Sequence, residues 1–153
     1  MELWRPSLTE LAPPGLHSPA LSVWWLFHHL RIFENRRYGV LAIYDGLTPI
    51  HRSVITPKWP RFPFMAKEDL QIGATWTHPS YRGRGLAVYA IGKVGELERR
   101  HCPRFWYLTE ESNLASVRAA VGAGFSKYFE GSRTKRFGLR LFGAFIPGPE
   151  QRA

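Results

Sequence analysis

A glycine-rich turn between a predicted strand and a predicted helix constrains this chain more than any other feature. The turn is Tyr81-Arg82-Gly83-Arg84-Gly85-Leu86-Ala87, and the alternating run Leu70–Thr77 leads into it through His78-Pro79. Such a turn exposes several backbone N–H groups at a helix N-terminus, where the aligned peptide dipoles place about half a positive charge. The glycines let a ligand approach the main chain, and the two arginines add charge. The pattern favours phosphate binding, with a plain surface turn as the alternative.

Two common phosphate-binding motifs do not fit this turn. A P-loop ends in Gly-Lys-Ser/Thr, whereas Gly85 is followed by Leu86-Ala87. A dinucleotide fingerprint needs three glycines at fixed offsets, and only Gly83 and Gly85 are present. The turn therefore belongs to another class of phosphate-binding loop, or to none.

Two elements, in this order, resemble the GNAT superfamily of acyl-CoA-dependent N-acyltransferases. The first is Arg82-x-x-Gly85-x-Ala87 after a strand, which matches the pyrophosphate-binding loop of that family. The second is the run from Glu111 to Phe125, which resembles the family's element of an asparagine, a helix and Gly-Phe. One helix and one strand separate the loop from Asn113, as in the family. The resemblance covers about residues 69–143, and the first third of the chain resembles the family only loosely.

The resemblance implies an N-acetyltransferase that moves an acyl group from acetyl-CoA directly to a primary amine. The main chain before the turn would run beside the pantetheine arm like an added strand, the turn would cradle the pyrophosphate, and Arg82 would close the loop. Asn113 would bond to the pantetheine arm, or serve only as a helix N-cap. The implied cofactor-binding residues are Trp76, Thr77, His78, Arg82, Gly83, Arg84, Gly85, Leu86, Ala87 and Asn113.

Acyl transfer to an amine also needs a base, or a water path, to keep the attacking amine neutral. Histidine is suited to proton transfer near neutral pH, which makes His78 a candidate, although it could merely precede Pro79 in an extended turn. Glu110 follows the next predicted strand and would lie across the sheet opening, or could simply favour the dipole of the following helix. Asp69, Glu68, His51 and Glu111 are the other candidate bases.

The departing thiolate must be stabilised or protonated, and here the chain departs from the family. Many members carry a tyrosine on the second helix, four residues before its terminal glycine, and this chain has Ala120 there. Ser116, one turn after Asn113, could approach the sulfur instead or be a plain helix-surface serine; Tyr107 and Tyr128 are further options. The candidate catalytic residues are thus Asn113, Ser116, His78 and Glu110, and no metal site is predicted.

The order of predicted elements indicates a mixed α+β fold. A strand–helix–strand unit implies parallel neighbours and hairpins imply antiparallel ones, so we expect a largely antiparallel sheet with helices on both faces. The resemblance adds a central parallel splay.

The patterns along the chain predict the individual elements. The first part contains an extended arm (1–20) packed through Leu3 and Trp4, a helix (21–33) capped by Ser18 or Ser22, a hairpin (38–56) and an aromatic loop (58–64). The second part contains a strand (69–77), a helix (85–101) with Leu97 inside, a strand (104–109), a helix (113–124) with Val121 inside, and two strands (125–129, 135–145).

Length and composition bound the class of protein. A chain of 153 residues suits one acyltransferase domain, predicted over 1–153. No apolar run approaches the roughly 20 residues that span a bilayer, and no secretory signal is recognisable, so we expect no membrane partner. The single cysteine, Cys102, fits a reducing compartment, and we expect a cytoplasmic protein.

The net charge of +9 and the Arg-aromatic loop over residues 58–64 raise a rival class, a basic nucleic-acid-binding module. No recognition motif for DNA or RNA is present, and acyl-CoA phosphates also favour a basic site, so we expect no nucleic-acid partner. Within the enzyme class, the stretch from His51 to Gly73 is similar to acetyltransferase-like proteins of bacterial polysaccharide synthesis. That likeness suggests an amino-sugar acceptor; a protein or peptide N-terminus is the alternative.

Two further expectations concern the missing tyrosine and the aromatic residues of the first third of the chain. The missing tyrosine at Ala120 is also compatible with a protein that binds CoA without turnover. Aromatic residues in the first third of the chain would suit a homodimer if they are exposed.

Overall fold

The computed structural model describes residues 1–134 and 143–148, and all structural statements below refer to them. The elements are β1 (Glu2–Trp4), α1 (Pro19–His29), β2 (Gly39–Asp45), β3 (Thr48–Pro57), β4 (Leu70–Thr77), a 3-10 turn (Pro79–Tyr81), α2 (Leu86–Glu98), β5 (Phe105–Tyr107), α3 (Leu114–Gly122), β6 (Gly131–Arg133) and β7 (Phe145–Pro147).

Strands β1 to β5 form one sheet in chain order, and β6 pairs with β7 in a separate two-stranded sheet. All neighbours in the larger sheet are antiparallel except β4 and β5, which are parallel. That parallel pairing begins at Leu70–Phe105 and ends at Ile72–Tyr107, although β4 continues to Thr77. The two strands therefore separate beyond Ile72, and we call the gap between them the splay. The predicted mixed sheet with a parallel splay is confirmed.

A β-bulge in β4 lies beside the splay. Arg52 of β3 pairs with Trp76, whereas Val54 pairs with Gly73, so β4 contains one residue more than β3 over this stretch. Ala74, within it, has a φ of +44°, a conformation that residues with a side chain rarely adopt. Bulges are common next to active sites, where they redirect the strand and its side chains.

Helices cover both faces of the sheet, as predicted. On one face α2 and α3 bury the cluster Leu41, Ile55, Leu70, Ile72, Ala90, Ile91, Val94 and Cys102. On the other face α1 and the first strand bury Trp4, Ala12, Leu21, Phe33, Tyr38, Val40 and Val54. A third, aromatic cluster lies under the loop after β3 and contains Phe62, Met65 and Trp106, with Phe64, Phe129 and Phe145 against it.

Several local predictions are confirmed. The segment predicted as an arm begins with strand β1, in which Trp4 is buried. Helix α1 has Ser18 as its N-cap, with the Leu21 N–H donating to the serine side chain. The Asp45-Gly46 turn joins β2 to β3 as expected. The helix cap and the hairpin turn could be predicted because each depends on a few neighbouring residues.

Other predictions were wrong for reasons of packing. Helix α2 ends at Glu98, well before Pro103, and Glu98 rather than Leu97 takes the buried position. Val121 is exposed although the periodicity of α3 places it inside. Residues 125–129 form no strand because their aromatic side chains pack against two core clusters instead. Most of the strand predicted over 135–145 lies outside the described residues.

Candidate functional site

The glycine turn leaves its main chain uncovered at the start of α2. Gly83 and Gly85 have φ values of +75° and +74°, in the left-handed region that favours glycine. Gly85 is the N-cap of α2, and among the described residues no side chain bonds to the N–H groups there. A Cβ added at either glycine would meet no atom within 4 Å, so open space lies in front of the main chain. The positive end of α2 therefore faces solvent and is free to receive an anion.

Side chains around the turn hold it against β4 and the β2–β3 hairpin. Arg82 donates from Nε to the carbonyl oxygen of Thr77 at 3.2 Å, which closes the loop onto the end of β4. The guanidinium carbon of Arg84 lies 5.0 Å from the ring centroid of Tyr81. Tyr81 in turn donates its hydroxyl to Asp45 in the hairpin, a bond that raises the pKa of the tyrosine. The loop is thus positioned from two sides while its N–H groups stay exposed.

His78 lies between the splay and the turn and has a local structural role. Its backbone N–H donates to Ile50 O at 2.8 Å, and its ring Nδ1 accepts from the backbone N–H of Ser80 at 3.3 Å. A ring that accepts at Nδ1 and is neutral carries its proton on Nε2. The structure therefore brings Trp76, Thr77 and His78 to the loop, while the role of His78 as a base stays a prediction.

The start of α3 faces the splay from the other strand. Asn113 is the N-cap and accepts the backbone N–H of Ser116 at 3.1 Å through its side-chain oxygen. The side-chain NH₂ of Asn113 has no bonding partner among the residues described. One Asn can therefore cap the helix and still offer a donor to a ligand, as the sequence suggested.

A pair of hydroxyl groups joins α3 to the vertex of the splay. The Oη of Tyr107 lies 2.9 Å from the Oγ of Ser116. Tyr107 is the last residue of β5 and pairs with Ile72, the point where the strands part. Ala120, one turn after Ser116 on the same face of α3, is buried. A strand tyrosine thus places its hydroxyl beside the helix face that carries a tyrosine in many family members.

Glu110 has no comparable placement. Its side chain is exposed, and its backbone oxygen accepts the Asn113 N–H at 3.0 Å. The neighbouring Glu111 pairs with Lys127 at 2.7 Å, which lowers the pKa of that carboxyl. The predicted role of Glu110 as a base stays a prediction without a supporting contact.

A buried polar chain runs across β3 and β4 on the face covered by α2. His51 is fully buried; its Nδ1 lies 2.8 Å from Thr77 Oγ1 and its Nε2 lies 3.1 Å from Ser53 Oγ. Ser53 Oγ continues to Thr75 Oγ1 at 3.4 Å. Burial lowers the pKa of His51 to about 4, so it is neutral at physiological pH. These hydrogen bonds fix the bulged end of β4, beside the glycine turn.

The low pKa of His51 makes stability depend on pH. The unfolded histidine binds a proton with a pKa of 6.5 and the folded one only at about 4, so stability is full above pH 6.5 and falls as the pH drops towards 4. We expect a loss of about 2 kcal/mol between pH 7 and pH 5, measured by urea unfolding. His51→Gln should reduce this difference, leaving the part due to His28, whose pKa is also lowered by burial.

The exposed His101 provides the matched control for this measurement. His101→Gln should keep the full pH dependence of the wild type. An equal pH dependence in wild type and His51→Gln would contradict the assignment of the effect to the buried ring.

The described residues also give the state of the cysteine, the grouping of metal-binding side chains and the length of the helices. Cys102 is buried, its Sγ donates to Arg104 O at 3.0 Å, and burial raises the pKa of the thiol to about 11, which leaves little nucleophilic thiolate. Among the residues described, no three His, Cys, Asp or Glu side chains gather as a metal site would need. Nor does any described helix have the length and hydropathy to cross a bilayer.

The comparison with family models gives one match. The model of the acetyltransferase (GNAT) family matches residues 4–125, most of the chain. The matched range includes the glycine turn, the splay and α3. A comparison with curated proteins found no match.

Solved structures with the same fold include both enzymes and a protein of unstated activity. The aminoglycoside antibiotic 6'-N-acetyltransferase of Acinetobacter haemolyticus is 14% identical with a TM-score of 0.60, over 89% of this chain and 98% of that one. An aminoglycoside acetyltransferase in complex with a CoA bisubstrate analog is 16% identical with a TM-score of 0.54, over 74% and 76%. An integron cassette protein of V. cholerae is 18% identical with a TM-score of 0.54, over 66% of this chain, which spans only 63% of that protein. At these identities the likeness establishes the fold.

Proposed function

The chain belongs to the acetyltransferase (GNAT) family and is an N-acetyltransferase, and from this premise we propose that it transfers the acetyl group of acetyl-CoA directly to a primary amine of a small molecule. The observation that carries the proposal is the uncapped glycine turn at the start of α2, open in front of Gly83 and Gly85 and adjacent to the splay. A pyrophosphate at the turn and a pantetheine arm in the splay would direct the thioester to the vertex at Tyr107.

The contacts around the splay support the same placement of the cofactor. Strand β4 pairs with β3 as far as Thr77, whereas on its other edge the pairing with β5 ends at Ile72. The edge of β4 beyond Ile72 therefore has no pairing with β5. A pantetheine arm carries amide groups and could pair with that edge as an added strand does. The free side-chain NH₂ of Asn113 lies at the start of α3, on the far side of the same opening. The structural relative with a CoA bisubstrate analog provides a precedent for a CoA ligand on this fold.

The reaction needs one bond to form and one to break. The neutral amine attacks the thioester carbonyl carbon, a C–N bond forms, the C–S bond breaks, and the proton lost by the amine balances the thiolate that leaves. The pair Tyr107 and Ser116 lies at the vertex, and we assign it to stabilise the developing thiolate. A phenol is a weaker acid than a thiol, so hydrogen-bond donation suffices and full proton transfer is not required. The pair takes the place of the tyrosine that Ala120 replaces.

The role of the pair gives a test in kcat. Tyr107→Phe should lower kcat about tenfold, the range of one hydrogen bond to a charge, with the KM for acetyl-CoA nearly unchanged. Ser116→Ala should have a smaller effect because the phenol can still reach the sulfur. Tyr44→Phe is the matched control, because it removes a hydroxyl bonded to Pro14 at the other edge of the sheet. Unchanged kcat in Tyr107→Phe would remove the pair from the mechanism.

The test of the proposal as a whole is binding followed by turnover. Acetyl-CoA at a hundred times its Kd should add about 2.7 kcal/mol and raise the unfolding midpoint by roughly 5–10 °C, whereas an RNA oligonucleotide should raise it far less. Release of free CoA thiol with a panel of primary amines then measures transfer. No midpoint shift with acetyl-CoA would overturn the proposal, and a shift without transfer to any amine would favour a CoA-binding protein without turnover.

A further inference from the structure

An open cavity of about 350 Å³ lies on the sheet face opposite α2 and α3. Its walls are aromatic and include Phe64, Trp106, Tyr128 and Phe129, with Arg104 at the edge. The volume lies at the lower end of the range for small-molecule sites. The cavity has no role in the cofactor site described above.

The cavity adjoins the vertex of the splay through Trp106, on the face away from the Tyr107–Ser116 pair. Trp106 directly precedes Tyr107 in β5, and consecutive strand residues point to opposite faces. Tyr107 meets Ser116 on the helix-covered face, whereas Trp106 packs in the aromatic cluster on the other face. The hydroxyl pair and α3 occupy the helix-covered side of the vertex, so an amine can approach the thioester from the side of Trp106.

The aromatic walls are held in fixed positions. The ring N–H of Trp106 donates to the buried carboxylate of Asp69 at 2.7 Å, and the same oxygen accepts the Ala66 N–H at 2.9 Å. Phe64 meets Trp106 edge-on with centroids 4.9 Å apart, and Phe129 at 5.1 Å. Walls with locked rotamers can accept a flat ring without losing further side-chain freedom.

The charge at the cavity is positive. The guanidinium carbon of Arg104 lies 5.4 Å from the centroid of Trp106 and 5.7 Å from that of Tyr128, an exposed cation held over two rings. Arg104 has no ion pair with any residue in the described part of the chain. Among the described residues, the lining includes Arg104 and no Asp or Glu, and the buried Asp69 behind the wall accepts the ring N–H of Trp106. An arginine of this kind binds carboxylate or phosphate, whereas a polyamine would need carboxylates.

We propose that this cavity is the acceptor site, and that the acceptor amine belongs to a molecule carrying a flat ring and an anionic group. The inference rests on the proposed function, because only a transferase has an acceptor. It separates this chain from the two aminoglycoside acetyltransferases of the same fold, since aminoglycosides are polycations. A nucleotide-linked amino sugar and an aromatic amino acid both have the required chemistry.

The experiment compares acceptors and arginine variants in the full chain. UDP-glucosamine, tryptophan and kanamycin are tested by CoA thiol release, and UDP and indole-3-acetate, which lack a reactive amine, by calorimetric binding. We expect at least tenfold higher kcat/KM for one of the anionic acceptors than for kanamycin. Binding of UDP together with turnover of UDP-glucosamine would identify the acceptor as a nucleotide-linked amino sugar. Binding of indole-3-acetate together with turnover of tryptophan would identify it as an aromatic amino acid.

Arg104→Gln should raise the KM of the preferred acceptor about tenfold, while the KM of acetyl-CoA stays unchanged. The Kd of the non-reactive analogue of that acceptor should rise by the same factor. Arg100→Gln, at an exposed position just beyond α2, removes the same charge and should have no such effect. Preference for kanamycin, or equal behaviour of the two variants, would overturn the inference. If acetyl-CoA stabilises the protein but neither UDP nor indole-3-acetate binds, the inference fails alone; if acetyl-CoA does not bind, the proposed function fails first.

Discussion

Gly85→Val should lower the affinity for acetyl-CoA at least about 100-fold and kcat/KM by a similar factor. Valine is β-branched and tolerates a φ of +74° poorly, so the turn must change its backbone conformation. Its side chain would also enter the open space in front of the main chain, where the phosphates would lie. The loss of two hydrogen bonds between N–H groups and a charged phosphate, at about 1.5 kcal/mol each, already gives a factor of that size.

Backbone strain alone must be separated from the loss of the phosphate site. Gly15, in the segment before α1, has a φ of +72°, so Gly15→Val imposes a comparable backbone strain outside the loop and its supporting contacts. Both variants should unfold at a lower temperature than the wild type, but only Gly85→Val should lose the stabilisation by acetyl-CoA. Calorimetric titration of both with acetyl-CoA decides the matter, and equal affinities would show that the turn does not hold the cofactor.

The parts of the site that the sequence predicted depend on a few neighbouring residues. Left-handed backbone at Gly83 and Gly85 follows from the lack of a Cβ, and the cap at Asn113 follows from a short side chain that can accept an N–H. The splay was expected only through the family resemblance. Each of these features can be recognised without knowing how distant segments pair.

The parts that the sequence did not predict depend on register and long-range packing. The link between His51 and Thr77 requires the exact pairing of β3 with β4, which the bulge at Ala74 shifts by one residue. The aromatic cavity is lined by residues from three loops, from β5 and from the end of β7, and sequence periodicity does not predict that these segments meet. The sequence left Ser116, Tyr107 and Tyr128 as alternative hydroxyl groups, and the contact between Tyr107 and Ser116 depends on how β5 packs against α3.

In helix α2 the buried position that the sequence analysis missed holds a charged residue, and its ion pairs give the second large effect. The spacing of Ala90, Ile91 and Val94 continues to position 98, where a glutamate is buried with a side-chain exposure of only 2%. Its two carboxylate oxygens bind two arginines: Arg5 at one oxygen and Arg37 at the other, the latter at 3.1 Å. Arg5 follows β1, and it also donates to the backbone oxygens of Arg37 and Tyr38, which precede β2. Glu98 therefore connects α2 to the end of β1 and to the start of β2.

Glu98→Ala should therefore destabilise the protein by about 3–5 kcal/mol, because it leaves two partly buried guanidinium groups without their anion. The unfolding midpoint should fall by roughly 6–20 °C. Glu98→Gln should lose less, since the amide oxygen can still accept one of the bonds. The matched control is Glu96→Ala on the same helix, where an exposed carboxylate pairs only with Lys93 and little change is expected. A midpoint for Glu98→Ala as close to wild type as that of Glu96→Ala would mean that hydrophobic packing alone holds α2 to the sheet.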